Sequence, residues 1–156
     1  MTPESLKSLT SMLEADNALL AGEKEAIRKY WQAITFAEEA PVDDPLFNKD
    51  LMIAYCNAGL SSAYARQEMF LESLASADRS TIVLEKIFNT HSLSDAERLT
   101  MAAISKGRAL INLTRIDEAK RALCEARIVL ETSRAWSPED KARFRELALE
   151  LKLEGA

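Results

Sequence analysis

The chain has 156 residues, a length typical of one domain, and 47% of them are apolar, which is enough to bury a substantial core. Its formal net charge of -5 disfavours nucleic acid and anionic membranes as main partners, because both reward a basic surface. The sequence shows neither a secretory leader nor a run of about 18 apolar residues that could span a membrane. We therefore expect a single cytoplasmic domain over residues 1–156, with no nucleic-acid or membrane partner.

Apolar residues recur at helical spacing along the whole chain, which predicts an all-α protein. Capping side chains indicate four helix starts, at Thr2, Asp44, Ser94 and Ser137. All but Ser94 precede a proline, and Ser94 has Glu97 at the capping-box position. The periodicity breaks near residues 21–22, 67–68 and 114–115. Together these signals predict seven helices, at about 3–20, 23–40, 45–66, 69–89, 95–113, 116–134 and 138–154.

The first six predicted helices form three hairpins, at about 3–40, 45–89 and 95–134, and a single helix follows at 138–154. The hairpins resemble one another. A shift of 46 residues places Ser73 on Ala119 and Ser80 on Ala126. Small residues at fixed positions indicate that neighbouring helices approach closely there. A self-similar period of this length is typical of a helical solenoid.

At these residues the chain resembles the tetratricopeptide repeat family, whose hairpins carry small and aromatic residues at fixed spacing. The resemblance covers about residues 5–134 and is best in the middle hairpin. The matching residues there are Leu60, Ser61, Tyr64, Phe70, Ser73, Ala77 and Ser80. The resemblance implies a right-handed α-solenoid of three hairpins with a C-terminal capping helix, in a variant whose repeat exceeds the usual period of about 34 residues. An unrelated antiparallel bundle with alanine-rich contacts is the alternative fold.

In an array of this kind the first helix of each hairpin lines the concave face, so residues on its free side are candidates for peptide binding. They form an apolar strip with two arginines, which suits a segment that carries hydrophobic side chains and a carboxylate. The predicted peptide-binding residues are Tyr55, Ser62, Arg66, Met101, Ile104, Arg108 and Asn112. A plain solvated helix face is the alternative.

Catalytic chemistry has little support in the sequence. The four glycines do not gather into a phosphate-binding loop, and His91 is the only histidine. The two cysteines, Cys56 and Cys124, have no metal-ligand spacing and are expected to be reduced and mostly buried. We therefore predict no enzymatic activity, no catalytic residue, no metal site and no cofactor.

The leading hypothesis is a protein-protein interaction module, an adaptor or scaffold that binds a peptide or protein partner. One alternative is a small acidic tetratricopeptide chaperone for secreted proteins. The other is a self-associating structural subunit such as a homodimer. Self-association is predicted through Leu149 and Leu153, which fall on the side of the last helix opposite its core stripe.

Overall fold

The computed structural model describes residues 1–153, and within that range the chain forms seven α-helices and no strand. The helices are α1 (Pro3–Leu20), α2 (Glu25–Glu39), α3 (Lys49–Arg66), α4 (Phe70–Ile87), α5 (Leu93–Asn112), α6 (Ile116–Leu130) and α7 (Pro138–Glu150). Each of the first three odd-numbered helices packs against the helix that follows it, which makes three hairpins. The predicted all-helical architecture is confirmed.

The odd-numbered helices form one layer of the fold. Helix α3 contacts both α1 and α5, and α5 contacts α7, so the four first-position helices lie side by side. Helices α2, α4 and α6 cover the other side of this layer. The arrangement is an α-solenoid, as predicted, and α7 occupies the place that the first helix of a further hairpin would take. We call the free surface of α1, α3, α5 and α7 the inner face.

The three hairpins turn in the same way, at positions 46 residues apart. Gly22, Glu68 and Thr114 all have positive φ, of 73°, 59° and 59°. After Glu68 the amide of Met69 donates to the carbonyl of Tyr64 at 3.0 Å, and the other two turns close with the same bond. This is the left-handed helix ending in which glycine is the favoured residue. The turns of the second and third hairpins therefore repeat with the predicted 46-residue period, and the turn of the first hairpin has the same spacing.

Replacing Glu68 with glycine is expected to stabilise the protein by about 0.5–1 kcal/mol, because a side chain at this φ is strained and glycine is not. Urea denaturation measures the change in the free energy of unfolding. Gln67→Gly is the matched control, because Gln67 has a φ of -94°, at which glycine relieves no backbone strain. A Glu68→Gly variant that is no more stable than Gln67→Gly would contradict the expected strain.

Small residues occupy the contacts between paired helices. Ala119 and Ala126 are completely buried. Ser73 donates its hydroxyl to the carbonyl of Ser61 at 2.7 Å, and Ser80 likewise donates to a carbonyl of α3 at 2.8 Å. A buried serine can replace alanine at these positions because its hydroxyl finds an acceptor on the adjacent helix backbone.

The predicted cap at Asp44 is wrong. Helix α3 begins five residues later, and Asn48 caps it by accepting from the amide of Leu51. The Asp44 carboxylate instead accepts hydrogen bonds from the amide of Thr2 at 3.0 Å and the hydroxyl of Ser5 at 2.7 Å. These contacts lower the pKa of Asp44. Asp44 therefore ties the loop after α2 to the start of α1, a long-range role that outweighs its local capping preference.

The predicted capping box of Ser94 and Glu97 is also wrong. Ser92 caps α5 by accepting from the amide of Asp95 at 3.0 Å, so the helix begins at Leu93. Asp95 stands three residues after this cap, where a capping box would have glutamate or glutamine. The predicted caps at Thr2 and Ser137 are confirmed, since both side chains accept from the amide three residues on.

Candidate functional site

The seven predicted peptide-binding residues all lie on α3 or α5, but they differ in exposure. Ile104 is buried and belongs to the main core cluster, so its side chain offers little surface to a partner. Tyr55, Ser62 and Met101 are half-buried, whereas Arg66, Arg108 and Asn112 are exposed. The predicted strip is therefore only partly available at the surface.

The two predicted arginines already have partners within the chain. Arg66 donates from Nη1 to the carbonyl of Leu19, which joins the end of α3 to the end of α1. Arg108 lies 3.6 Å from a carboxylate oxygen of Glu150 on α7. Asn112 donates to the carbonyl of Arg108 at 2.9 Å within α5. A partner's carboxylate would have to compete with these contacts.

An ion pair crosses the inner face above α3. Arg98 on α5 donates from Nη2 and Nη1 to the two carboxylate oxygens of Asp16 on α1, at 2.5 Å and 3.1 Å. Its guanidinium lies 5.5 Å from the centre of the Tyr55 ring, and Nη1 lies 3.4 Å from the Tyr55 carbonyl oxygen. Ala58, one turn further along α3, is completely buried. The pair therefore links α1 to α5 across α3.

Two tyrosine hydroxyls complete this arrangement. Tyr30 of α2 donates to Asp16, and Tyr55 donates to Asp95. Burial raises the pKa of both phenols, and the adjacent carboxylates raise it further. Burial lowers the pKa of Arg98, but its hydrogen bonds to Asp16 and the charge of that carboxylate outweigh the effect and raise it overall. At neutral pH the arginine is therefore charged and both phenols are donors. We call these five residues the Asp16–Arg98 network.

Nearby Cys56 is a free, buried cysteine. Burial raises the pKa of its thiol to about 12. Because the thiolate is the reactive form, Cys56 is inert at neutral pH. Among residues 1–153, no three or more His, Cys, Asp and Glu side chains are grouped so that they could hold a metal ion.

An apolar pocket of about 170 Å³ opens on the inner face where α1 and α3 begin. Its lining residues are Met1, Leu9, Leu46, Phe47, Asn48, Leu51, Met52 and Tyr55. Tyr55 belongs both to this pocket and to the Asp16–Arg98 network, so the network holds one wall of the pocket in place. We call it the inner-face pocket. Of its lining residues, only Tyr55 was among the predicted site residues.

Sequence reasoning missed the Asp16–Arg98 pair. A signal for Asp16 existed, because the 46-residue shift places it on Ser62, a predicted binding residue. No comparable signal existed for Arg98, which the same shift places on Met52, outside the predicted strip. The two residues lie 82 positions apart, so only the stacking of α1, α3 and α5 brings them together.

The two leucines predicted for self-association do not share a helix face. Helix α7 ends at Glu150, Lys152 has a positive φ of 55°, and the amide of Leu153 donates to the carbonyl of Ala148 at 3.0 Å. Leu153 therefore folds back and packs against the core, while Leu149 is exposed. This corrects the continuous stripe expected from the sequence. The predicted helix end at residue 154 lies outside the described residues.

Comparison with known proteins agrees with the architecture. A family model described as Domain of Unknown Function (DUF3856) matches residues 3–143. The chain is similar to the crystal structure of a TPR-like protein from Chlorobium tepidum TLS, with 25% identity and a TM-score of 0.81. That match covers 95% of this chain and 93% of the other. The predicted tetratricopeptide resemblance is thus confirmed. No curated protein matches the chain.

The helices were also compared with the requirements of a membrane span. Within residues 1–153 no helix has the length and apolar character needed to cross a membrane.

Proposed function

We propose that this chain, which belongs to the DUF3856 family, is a non-catalytic interaction module that binds a peptide or protein partner on its inner face. The inner-face pocket is the observation that carries the proposal, because it is an apolar recess on the layer of first helices of a TPR-like fold. Cytoplasmic localisation and a role as adaptor or scaffold belong to the same proposal.

The pocket suits a partner segment with one large aliphatic or aromatic side chain. Seven of its eight lining residues are apolar or aromatic, and full burial of such a side chain contributes about 1.5–3 kcal/mol. Because the network holds Tyr55 before binding, little conformational entropy is lost at that wall. The partner's chain would continue beyond the ion pair toward Ser62, Arg108 and Asn112.

The test begins with peptides selected from a random display library against the wild-type protein. Leu46→Glu is expected to weaken their binding by about tenfold or more, because it puts a charge at the mouth of the pocket. Leu46 is 70% exposed, so the substitution should not disturb folding. Isothermal titration calorimetry measures the dissociation constants.

Val42→Glu is the matched control. Val42 is 88% exposed in the same loop but does not line the pocket, so binding should stay within about twofold of wild type. Selected peptides that bind wild type and Leu46→Glu equally well would remove the inner-face pocket as the binding site.

A second candidate, self-association, is favoured by one further observation. Leu6, Leu13 and Leu20 recur every seven residues along α1 and are 55%, 52% and 82% exposed. Leucines at this spacing fill one of the two apolar positions in each heptad of a helix pair. Sedimentation of wild type, Leu13→Glu and Leu149→Glu tests it: loss of a dimer in the Leu13→Glu variant alone assigns the contact to α1. A monomeric wild type across a wide concentration range excludes self-association.

A further inference from the structure

A second recess lies at the other end of the solenoid, between the end of α6 and the start of α7. Its volume is about 130 Å³. Three of its lining side chains, Leu130, Phe144 and Ala148, are apolar and completely buried. Trp136 also lines it, with its ring edge-on to Phe144 at a centroid distance of 5.6 Å. The recess therefore has buried apolar side chains beneath its surface, and the half-buried ring of Trp136 is the aromatic group that reaches its wall.

The remaining lining residues make this recess basic in an acidic protein. Lys141 and Arg145 line it beside Arg127 and Glu131, whose charged groups lie 4.0 Å apart and offset each other, in a chain whose net charge is -5. Lys141 and Arg145 lie four residues apart on α7 and so project from the same side of the helix. The Lys141 ammonium lies 5.3 Å from the centre of the Trp136 ring, which holds the cation beside the aromatic wall of the recess.

We infer that this recess binds a carboxylate attached to a small apolar group. The Trp136 ring packs against the apolar group, and Lys141 and Arg145 donate charge-assisted hydrogen bonds to the carboxylate. The volume is well below the roughly 300–1,000 Å³ of a site for a drug-sized ligand, so only a short chain or a single side chain enters. Such a group is supplied either by a free short-chain acid or by the C-terminal residue of a polypeptide.

The site is independent of the proposed function. It involves α6 and α7, whereas the inner-face pocket involves α1 and α3. Failure of either hypothesis leaves the other unaffected, because the two binding experiments use different variants and different probes.

Intrinsic fluorescence can report binding directly. Trp31 and Trp136 are the two tryptophans of the chain, so a Trp31→Phe background leaves the signal of Trp136 alone. The probes are hexanoate for a free acid, N-acetylleucine for a polypeptide C-terminus, the neutral N-acetylleucinamide, and inorganic phosphate. At least one of the two carboxylates is expected to give a saturable change. The amide and phosphate should bind about tenfold more weakly or not at all.

Arg145→Glu should weaken carboxylate binding by about tenfold or more, because it reverses a charge at the recess. Arg143→Glu is the matched control: it lies on the same exposed helix, is ion-paired with Asp140 at 3.6 Å, and does not line the recess. Its binding should stay within about twofold of wild type. Circular dichroism melts check that both variants fold.

The relative affinities for the two carboxylates identify the source of the ligand. Tighter binding of hexanoate assigns the site to free acids, and tighter binding of N-acetylleucine assigns it to polypeptide C-termini. The inference is overturned by the absence of saturation with both carboxylates, or by equal binding of the amide or of phosphate. Equal losses in Arg145→Glu and Arg143→Glu would also overturn it, since they would show only a general effect of net charge.

Discussion

Replacing Arg98 with alanine is expected to lower the free energy of unfolding by about 3 kcal/mol, the low end of the range for breaking a buried ion pair. The Arg98 side chain is 12% exposed and that of Asp16 is 25% exposed, so the variant leaves a largely desolvated carboxylate without its cation. It also removes the link between α1 and α5 across α3. Urea denaturation at neutral pH measures the loss.

Two further variants separate the causes. Arg98→Met combined with Asp16→Leu should recover part of the stability, because no unpaired charge remains, although the buried Tyr30 hydroxyl loses its acceptor. A double variant as unstable as Arg98→Ala would show that the buried charge is not the cause. Arg108→Ala should cost no more than about 1 kcal/mol, since the side chains of Arg108 and Glu150 are 45% and 50% exposed.

Gly59→Ala is expected to cost about 2–4 kcal/mol, because the added methyl group has no room. Its carbon would lie 2.2 Å from Cζ of Tyr30, far inside van der Waals contact. Tyr30 is completely buried and its hydroxyl donates to Asp16, so the ring cannot move away without giving up that hydrogen bond. Thermal and urea denaturation both report the change.

Gly107→Ala is the control for this substitution. There the nearest atom is a methyl carbon of Leu147 at 3.0 Å, which a small rotation can relieve, and alanine gains up to about 1 kcal/mol in helix propensity over glycine. Its net effect should therefore be within about 1 kcal/mol. Equal losses of unfolding free energy in the two variants would show that the Tyr30 ring moves aside as easily as a leucine side chain.

The candidate site was predictable in part. The 46-residue register placed Tyr55, Ser62 and Arg108 on first helices, and all three lie on α3 or α5. The same register did not indicate that Tyr55 would be fixed by Asp95 and Arg98. A repeat register describes what equivalent positions share, whereas this network joins residues that are not equivalent in their repeats.

The inner-face pocket shows the same limit. Leu9 and Leu46 belong to different segments, a helix and a loop, and no periodicity relates them. Asp44 holds the start of α1 against this loop through its hydrogen bonds to Thr2 and Ser5, and so assembles that end of the pocket. A loop that docks by side-chain hydrogen bonds leaves no periodic signal in the sequence.

Apolar periodicity and turn signals in the sequence predicted the number of helices, the hairpin turns near residues 22, 68 and 114, and the small residues at helix contacts. These features depend on interactions within a few residues or on a repeated packing contact, so composition and spacing report them. Two contacts became evident only once the helices were stacked: Asp16 pairs with Arg98 across 82 positions, and Leu153 folds back onto the core. Such contacts depend on how far each helix is shifted along its axis relative to its neighbours. The packing of all the hairpins together sets this shift, so no local sequence pattern predicts it.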